Sequence, residues 1–94
     1  MDRRARIEEK LRATLGASHV EVIDDSHLHA GHAGAAAGGG HFRALVVASR
    51  FEGASRVARQ RLVYAALAEE MRADIHALSL RTLTPGEWSG QHSE

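Results

Sequence analysis

The chain has 94 residues, enough for one domain with a modest core. Its 12 basic and 12 acidic residues leave a formal net charge of zero, which argues against a general phosphate-backbone binder unless basicity is local. It has no cysteine, so disulfides, an intrachain thiolate site and a CxxC redox pair are excluded, and no apolar run approaches the roughly 18 residues of a membrane span.

Residues 3–15 read as a helix. Ile7, Leu11 and Leu15 recur every four residues as a narrow apolar stripe, and Glu8 and Arg12 stand at i,i+4 in the favourable order. Gly16 is placed to end the helix. Residues 19–24, HVEVID, alternate Val20 and Val22 against Glu21, as a half-buried strand does. Residues 27–41 read as a flexible loop of His, Gly and Ala, in which three consecutive glycines make the backbone costly to order. Residues 42–49, FRALVVAS, are apolar almost throughout and read as a central strand. RFEGAS is a turn, and Ser55 can cap a helix.

From Val57 to about Met71, the residues Leu62, Val63, Ala66, Leu67 and Met71 line one face of a second helix. Residues 75–83 read as a third strand, with Ala77 and Ser79 on one face and His76, Leu78 and Leu80 on the other. Thr84-Pro85-Gly86-Glu87 is a compact helix start, with Thr as N-cap, Pro at N1 and Glu at N3. Trp88 can tuck that short helix onto the body, and residues 89–94 look frayed.

The order is helix, strand, strand, helix, strand, helix. It predicts a single domain over residues 1–94 with an ordered core of about 3–88, of α/β class in the α+β sense. One three-stranded mixed sheet should carry helices on one face. Strands one and two should be antiparallel, joined by the histidine loop as an oversized hairpin connection.

Four of the seven histidines, His27, His29, His32 and His41, fall within the stretch DDSHLHAGHAGAAAGGGHF. Neutral imidazole is a good ligand for zinc, copper or iron, and several along one loop can gather round an ion. The spacing lacks the paired i,i+4 histidines or CxxC knuckles of a strong zinc motif, so solvated side chains fit it better. His76 opens a strand after Asp74, and its pattern alone suits a strand-end histidine bonded to a backbone carbonyl better than a ligand. His19 and His92 read as solvated, and Trp88 and Phe42 as core.

Eleven of the 12 basic residues are arginine, and Arg50, Arg56, Arg59 and Arg61 form the one local basic cluster. It suits a solvated helix face, or a docking surface for DNA or an acidic partner. Asp24, Asp25, Ser26 and His27 include the residue types of a catalytic triad, but neighbours on an extended chain point in opposite directions. An Asx or Ser turn accounts for them better, and the chain reads as non-enzymatic. Gly31-His32-Ala33-Gly34 matches a GxxG clamp formally, yet it lies between strands where such a clamp lies between helices.

Together, RIEEKL, VEVIDDSHLHAGH, HF, VVASRFEGASRVARQRLVYAALAEEM and IHALSLRTLTPGEW resemble the BolA family over residues 6–88. The most specific parts are the SRFEG turn, the RQRLVYAALAEE helix and the IHALSLRTLTPGEW tail. The resemblance implies a class II KH-like fold, matching the order above. It also implies a heterodimer with a monothiol glutaredoxin that shares a [2Fe–2S] cluster, the glutaredoxin cysteine and a glutathione thiol supplying sulfur. His76 would be the ligand from this chain, and a loop histidine the second. Counting from Ser26 selects His29, counting back from HF selects His32, and His41 could substitute; His32 is favoured, with His29 close behind. A cysteine-free chain fits that division of ligands, which resembles a Rieske centre. The isolated protein should be a cytoplasmic monomer without a cluster. The alternative implied by the family is a DNA-binding transcriptional regulator, for which only the Arg50–Arg61 surface speaks.

Overall fold

The first helix is made by its ends and its stripe. The computed structural model describes residues 2–26 and 40–92. In α1 (Arg3–Leu15) the Asp2 carboxylate accepts the Ala5 N–H at 2.7 Å. Gly16, at φ 63°, closes the other end with its N–H on the Arg12 carbonyl at 3.0 Å. Ile7, Leu11 and Leu15 are all buried, so the narrow stripe is the face α1 gives to the core. Glu8 takes Arg12 at 3.1 Å and Arg4 at 2.8 Å on the wet side, and these two cations hold its carboxyl below its ordinary pKa.

Strand β1 (His19–Asp24) pairs antiparallel with β2 (Gly40–Val47), and β2 pairs parallel with β3 (Ile75–Leu83). The sheet order β1-β2-β3 puts the apolar strand in the centre, as its composition predicts. Phe42, Ala44 and Val46 face the core with Val20 and Val22. They meet Ile7, Leu11 and Leu15 from α1 and Val63, Ala66 and Leu67 from the second helical segment.

Three boundaries differ from the sequence pattern. First, β2 runs from Gly40 to Val47 rather than 42–49, so Gly40 and His41 are strand and not loop. Backbone partners on both sides explain this. The Gly40 N–H donates to the Asp74 carbonyl at 2.9 Å, and the Asp25 N–H donates to the His41 carbonyl at 2.7 Å. Ser49–Phe51 is then a short 3₁₀ turn. Second, the expected long helix is two, α2 (Arg56–Ala66) and α3 (Ala68–Ala73), broken at Leu67 with φ −104° and ψ 21°. No glycine or proline marks the break, so the apolar periodicity reads straight through it. Third, α4 (Pro85–His92) extends through residues expected to fray.

Both predicted caps are present. The Ser55 hydroxyl accepts the Ala58 N–H at 3.1 Å. Thr84 and Glu87 form a reciprocal capping box, with the Glu87 N–H on Thr84 Oγ1 at 3.1 Å and the Thr84 N–H on Glu87 Oε1 at 2.8 Å.

The expectation of helices on one face holds for α1, α2 and α3. By contrast, α4 closes one end of the other face. There the Trp88 ring stacks on His19, with centroids 4.6 Å apart and planes 22° from parallel. His19, Val47 and Leu83 are cross-strand neighbours, and Val47 and Leu83 are buried although they stand outside the main core cluster. His19 is therefore a packed residue, bonded to Glu21 at 2.7 Å, rather than the solvated one its position suggested. No helix among the described residues is long and apolar enough to cross a membrane.

Candidate functional site

Beyond α4, no element among the described residues covers the second face of the sheet. Glu21 and Ile23 of β1, Arg43 and Leu45 of β2, and Ser79 and Arg81 of β3 line a shallow hollow of 330 Å³. At the far end of this face stands the histidine pair. The ring centroids of His41 and His76 are 5.1 Å apart, with planes tilted by 45°.

The pair exists because the sheet is irregular there. Gly40 opposes Ile75 and His41 opposes Ala77, so His76 is an extra residue in β3, a bulge. Strict alternation would put His76 on the Leu78/Leu80 side, as the sequence pattern suggested. The bulge breaks the alternation, so Ile75 is buried and His76 is exposed against His41. His41 itself faces away from Phe42, which is 2% exposed and packed in the core.

Both flanks of the pair are fastened. On the β1 side, the Ser26 N–H donates to Asp24 Oδ1 at 2.8 Å, the expected Asx turn. That turn presents the Ser26 hydroxyl, which accepts the His41 N–H at 3.0 Å. Asp25 holds the Arg43 guanidinium through Nε at 2.5 Å, which raises the arginine above its ordinary pKa. On the β3 side the Asp74 carbonyl takes the Gly40 N–H. Nothing in the sequence pattern pointed to Asp74 or Gly40; the only visible signal was the placement of three arginines in the first turn of α1.

Two imidazoles can serve as half of a metal site. With metal–nitrogen bonds of about 2.1 Å and a ring centre roughly 1.1 Å beyond the nitrogen, two imidazoles on one tetrahedral ion have centroids on the order of 5 Å apart. The observed spacing of 5.1 Å fits. Among the described residues there is no group of three or more His, Cys, Asp or Glu able to hold an ion. An ion on this pair would therefore need further ligands from elsewhere. The candidate ligands His29 and His32 lie outside the described residues, as do His27 and the GxxG stretch.

The arginine cluster divides. Arg59 is only 14% exposed in its side chain. It donates to the Ala54 carbonyl at 2.9 Å, the Thr82 carbonyl at 3.3 Å and the Glu87 carboxylate at 2.7 Å. It fastens α2 to β3 and α4, a structural task that its place in a basic run concealed. Arg50 is exposed and donates to the Thr14 carbonyl at 3.2 Å. Arg56 and Arg61 are exposed on α2. Arg56 also lines a groove with Leu80, Arg81 and Thr82, so Arg81 belongs with the basic surface although it stands 20 residues beyond Arg61 in the chain.

The model of the family described as BolA-like protein matches residues 11–87. The chain is 44% identical over 87 residues to the DNA-binding transcriptional regulator BolA of Escherichia coli (strain K12), covering 93% of this chain and 80% of that protein. It is 42% identical over 90 residues to BolA-like protein 1 of Pongo abelii, covering 96% of this chain but only 63% of that longer relative. Among solved structures, BolA1 from Arabidopsis thaliana is similar at TM-score 0.79 and 40% identity, covering 93% of this chain and 96% of that one.

Proposed function

The chain belongs to the BolA family, and on that premise we propose that it is a non-enzymatic carrier that shares an iron–sulfur cluster with a partner. The cluster is cargo, a [2Fe–2S] unit held jointly with a monothiol glutaredoxin and glutathione in a cytoplasmic setting. The partner and glutathione supply sulfur to one iron, and imidazoles of this chain supply nitrogen to the other.

The observation that carries the reading is the pairing of His41 with His76. Two exposed-side imidazoles 5.1 Å apart, with no further ligand group among the described residues and no cysteine in the chain, make half a site. His76 is the ligand. Of the three candidates for the second position, His41 is the one whose ring lies against it, and His29 and His32 belong to the connection that leads into His41. A two-imidazole half-site is useful only when something else completes the coordination sphere.

The test is co-purification with a monothiol glutaredoxin and anaerobic cluster reconstitution, followed by absorption and circular dichroism of the cluster. The His76→Ala variant should change the spectrum and shorten the cluster's life. Single replacements of His29, His32 and His41 identify the second ligand. A wild-type spectrum from His76→Ala would remove this chain from the coordination sphere.

A second reading has a specific observation in its favour, the name of the E. coli relative as a DNA-binding regulator. The surface for it is Arg50, Arg56 and Arg61, joined by Arg81, since Arg59 is occupied within the fold. A salt-dependent DNA affinity that falls when Arg56 and Arg61 are replaced would support it.

A further inference from the structure

The first turn of α1 contains Arg3, Arg4 and Arg6 and no acidic residue. Cations there oppose the helix dipole, which favours acidic side chains at an N-terminus. A broken local rule calls for a compensating contact, and two of the three arginines have one far away in sequence. Arg4 stays on its own helix, on Glu8 at 2.8 Å. Arg6 Nη1 lies 3.2 Å from the Asp74 carboxylate. Arg3 Nη1 donates to the Asp74 backbone carbonyl at 3.3 Å, and its guanidinium carbon stands 5.7 Å from the centre of the Phe42 ring.

These two contacts of Arg3 fall on residues close in sequence to the imidazole pair. Asp74 is two residues before His76, and Phe42 is one residue after His41. The same Asp74 carbonyl accepts the Gly40 N–H at 2.9 Å, so one oxygen joins α1, the start of β2 and the lead into β3. His76 is the unmatched residue of the bulge and has no ladder partner among the described residues. Its place relative to His41 is set by what holds the residues around it.

We propose that Arg3 is a positioning residue for the His41–His76 pair, its guanidinium bridging the Asp74 carbonyl and the Phe42 ring and so setting the separation of the two imidazoles. The consequence for cluster binding rests on the function proposed above. The placement of the rings does not, and it can be measured without metal.

The full chain with isotope-labelled histidine is compared with Arg3→Gln, Arg3→Lys and Arg4→Gln by NMR, reading the cross-ring Overhauser effect between His41 and His76. Wild type and Arg4→Gln should show the same effect. Arg3→Gln should lose most of it while its unfolding midpoint stays near that of Arg4→Gln, and Arg3→Lys should recover part. Arg4→Gln removes an equal charge from the same helix turn, so a general weakening of α1 would affect both variants alike. In the holo complex, Arg3→Gln should shorten cluster lifetime roughly tenfold, the low end of what losing a partner behind a metal ligand produces.

An unchanged cross-ring effect in Arg3→Gln overturns the proposal, as does an equal loss in Arg4→Gln. A lost effect together with a cluster spectrum indifferent to His76→Ala would uphold the positioning role and remove the ligand reading instead.

Discussion

Gly40→Ala perturbs the site from inside the fold. A Cβ at residue 40 would stand 2.5 Å from Phe42 Cε2, 3.0 Å from Phe42 Cζ and 3.0 Å from Ser26 Oγ. Carbon atoms prefer separations of about 3.5–4.0 Å, so the ring would have to retreat by roughly 1 Å. Phe42 is 2% exposed and has the core behind it, while Ser26 Oγ is committed to the His41 N–H. Neither neighbour can yield without loosening a contact that holds the pair. Overpacking of this kind costs about 1–3 kcal/mol. In a domain of this size about 2 kcal/mol lowers the unfolding midpoint by roughly 8–16 °C. The sign is diagnostic, because Gly→Ala at an unstrained, roomy position stabilises by about 0.4–1 kcal/mol through the unfolded chain. Gly90→Ala is the control. It lies in α4 with nothing within 4 Å of the added carbon, and it should be neutral or raise stability. Thermal and urea unfolding followed by circular dichroism decide the matter. A Gly40→Ala protein as stable as wild type would refute the close packing of Gly40 against Phe42 and Ser26.

Arg59→Met should destabilise by about 1–3 kcal/mol in urea unfolding, because it leaves the Ala54 and Thr82 carbonyls without their donor and Glu87 without its cation. Arg56→Met, by comparison, should stay within about 0.5 kcal/mol of wild type. The Glu87 carboxyl is held below its ordinary pKa, first by the hydrogen bond from Arg59 and then by the Thr84 N–H. A depressed carboxyl contributes stability that is present above its unfolded pKa of about 4.3 and lost as pH falls through the folded value. The stability gap between wild type and Glu87→Gln should therefore be constant near neutral pH and close as pH drops below about 4.3, as stability curves at several pH values will show. Glu70 is 5% exposed and lies 3.5 Å from Lys10, and its Oε1 finds no hydrogen-bond partner among the described residues. Lys10→Met should thus destabilise, and Lys10→Met/Glu70→Leu should recover at least half of the loss in a double-mutant cycle.

The parts of this molecule that local chemistry decides were legible in its residues. Ser55 and the Thr84–Glu87 box cap helices because a side-chain oxygen lies within three residues of the amide it serves. Val20 and Val22 face the core because a strand alternates. The largely apolar β2 is central, its backbone paired on both edges. What eluded the pattern depends on contacts between distant residues. Strict alternation puts His76 with Leu78 and Leu80, and only the bulge brings it to His41. Two residues before His76, Asp74 is held by Arg3 and Arg6, which reach across 71 and 68 residues to it. Arg59 reads as one member of a basic cluster until Glu87, 28 residues on, is placed beside it. His19 reads as solvated until α4 brings Trp88 over it. The break at Leu67 carries no local marker, since neither glycine nor proline interrupts the helix.

The central claim is that imidazoles of this chain ligate a cluster whose sulfur ligands lie in a partner. Its most direct test is pulsed electron paramagnetic resonance of the reduced cluster in the complex with a monothiol glutaredoxin, using this chain labelled with ¹⁵N-histidine and an unlabelled partner. The account predicts hyperfine couplings from two ¹⁵N nuclei in wild type, with one of them removed by His76→Ala. A reconstituted cluster that shows no ¹⁵N coupling from this chain would contradict it.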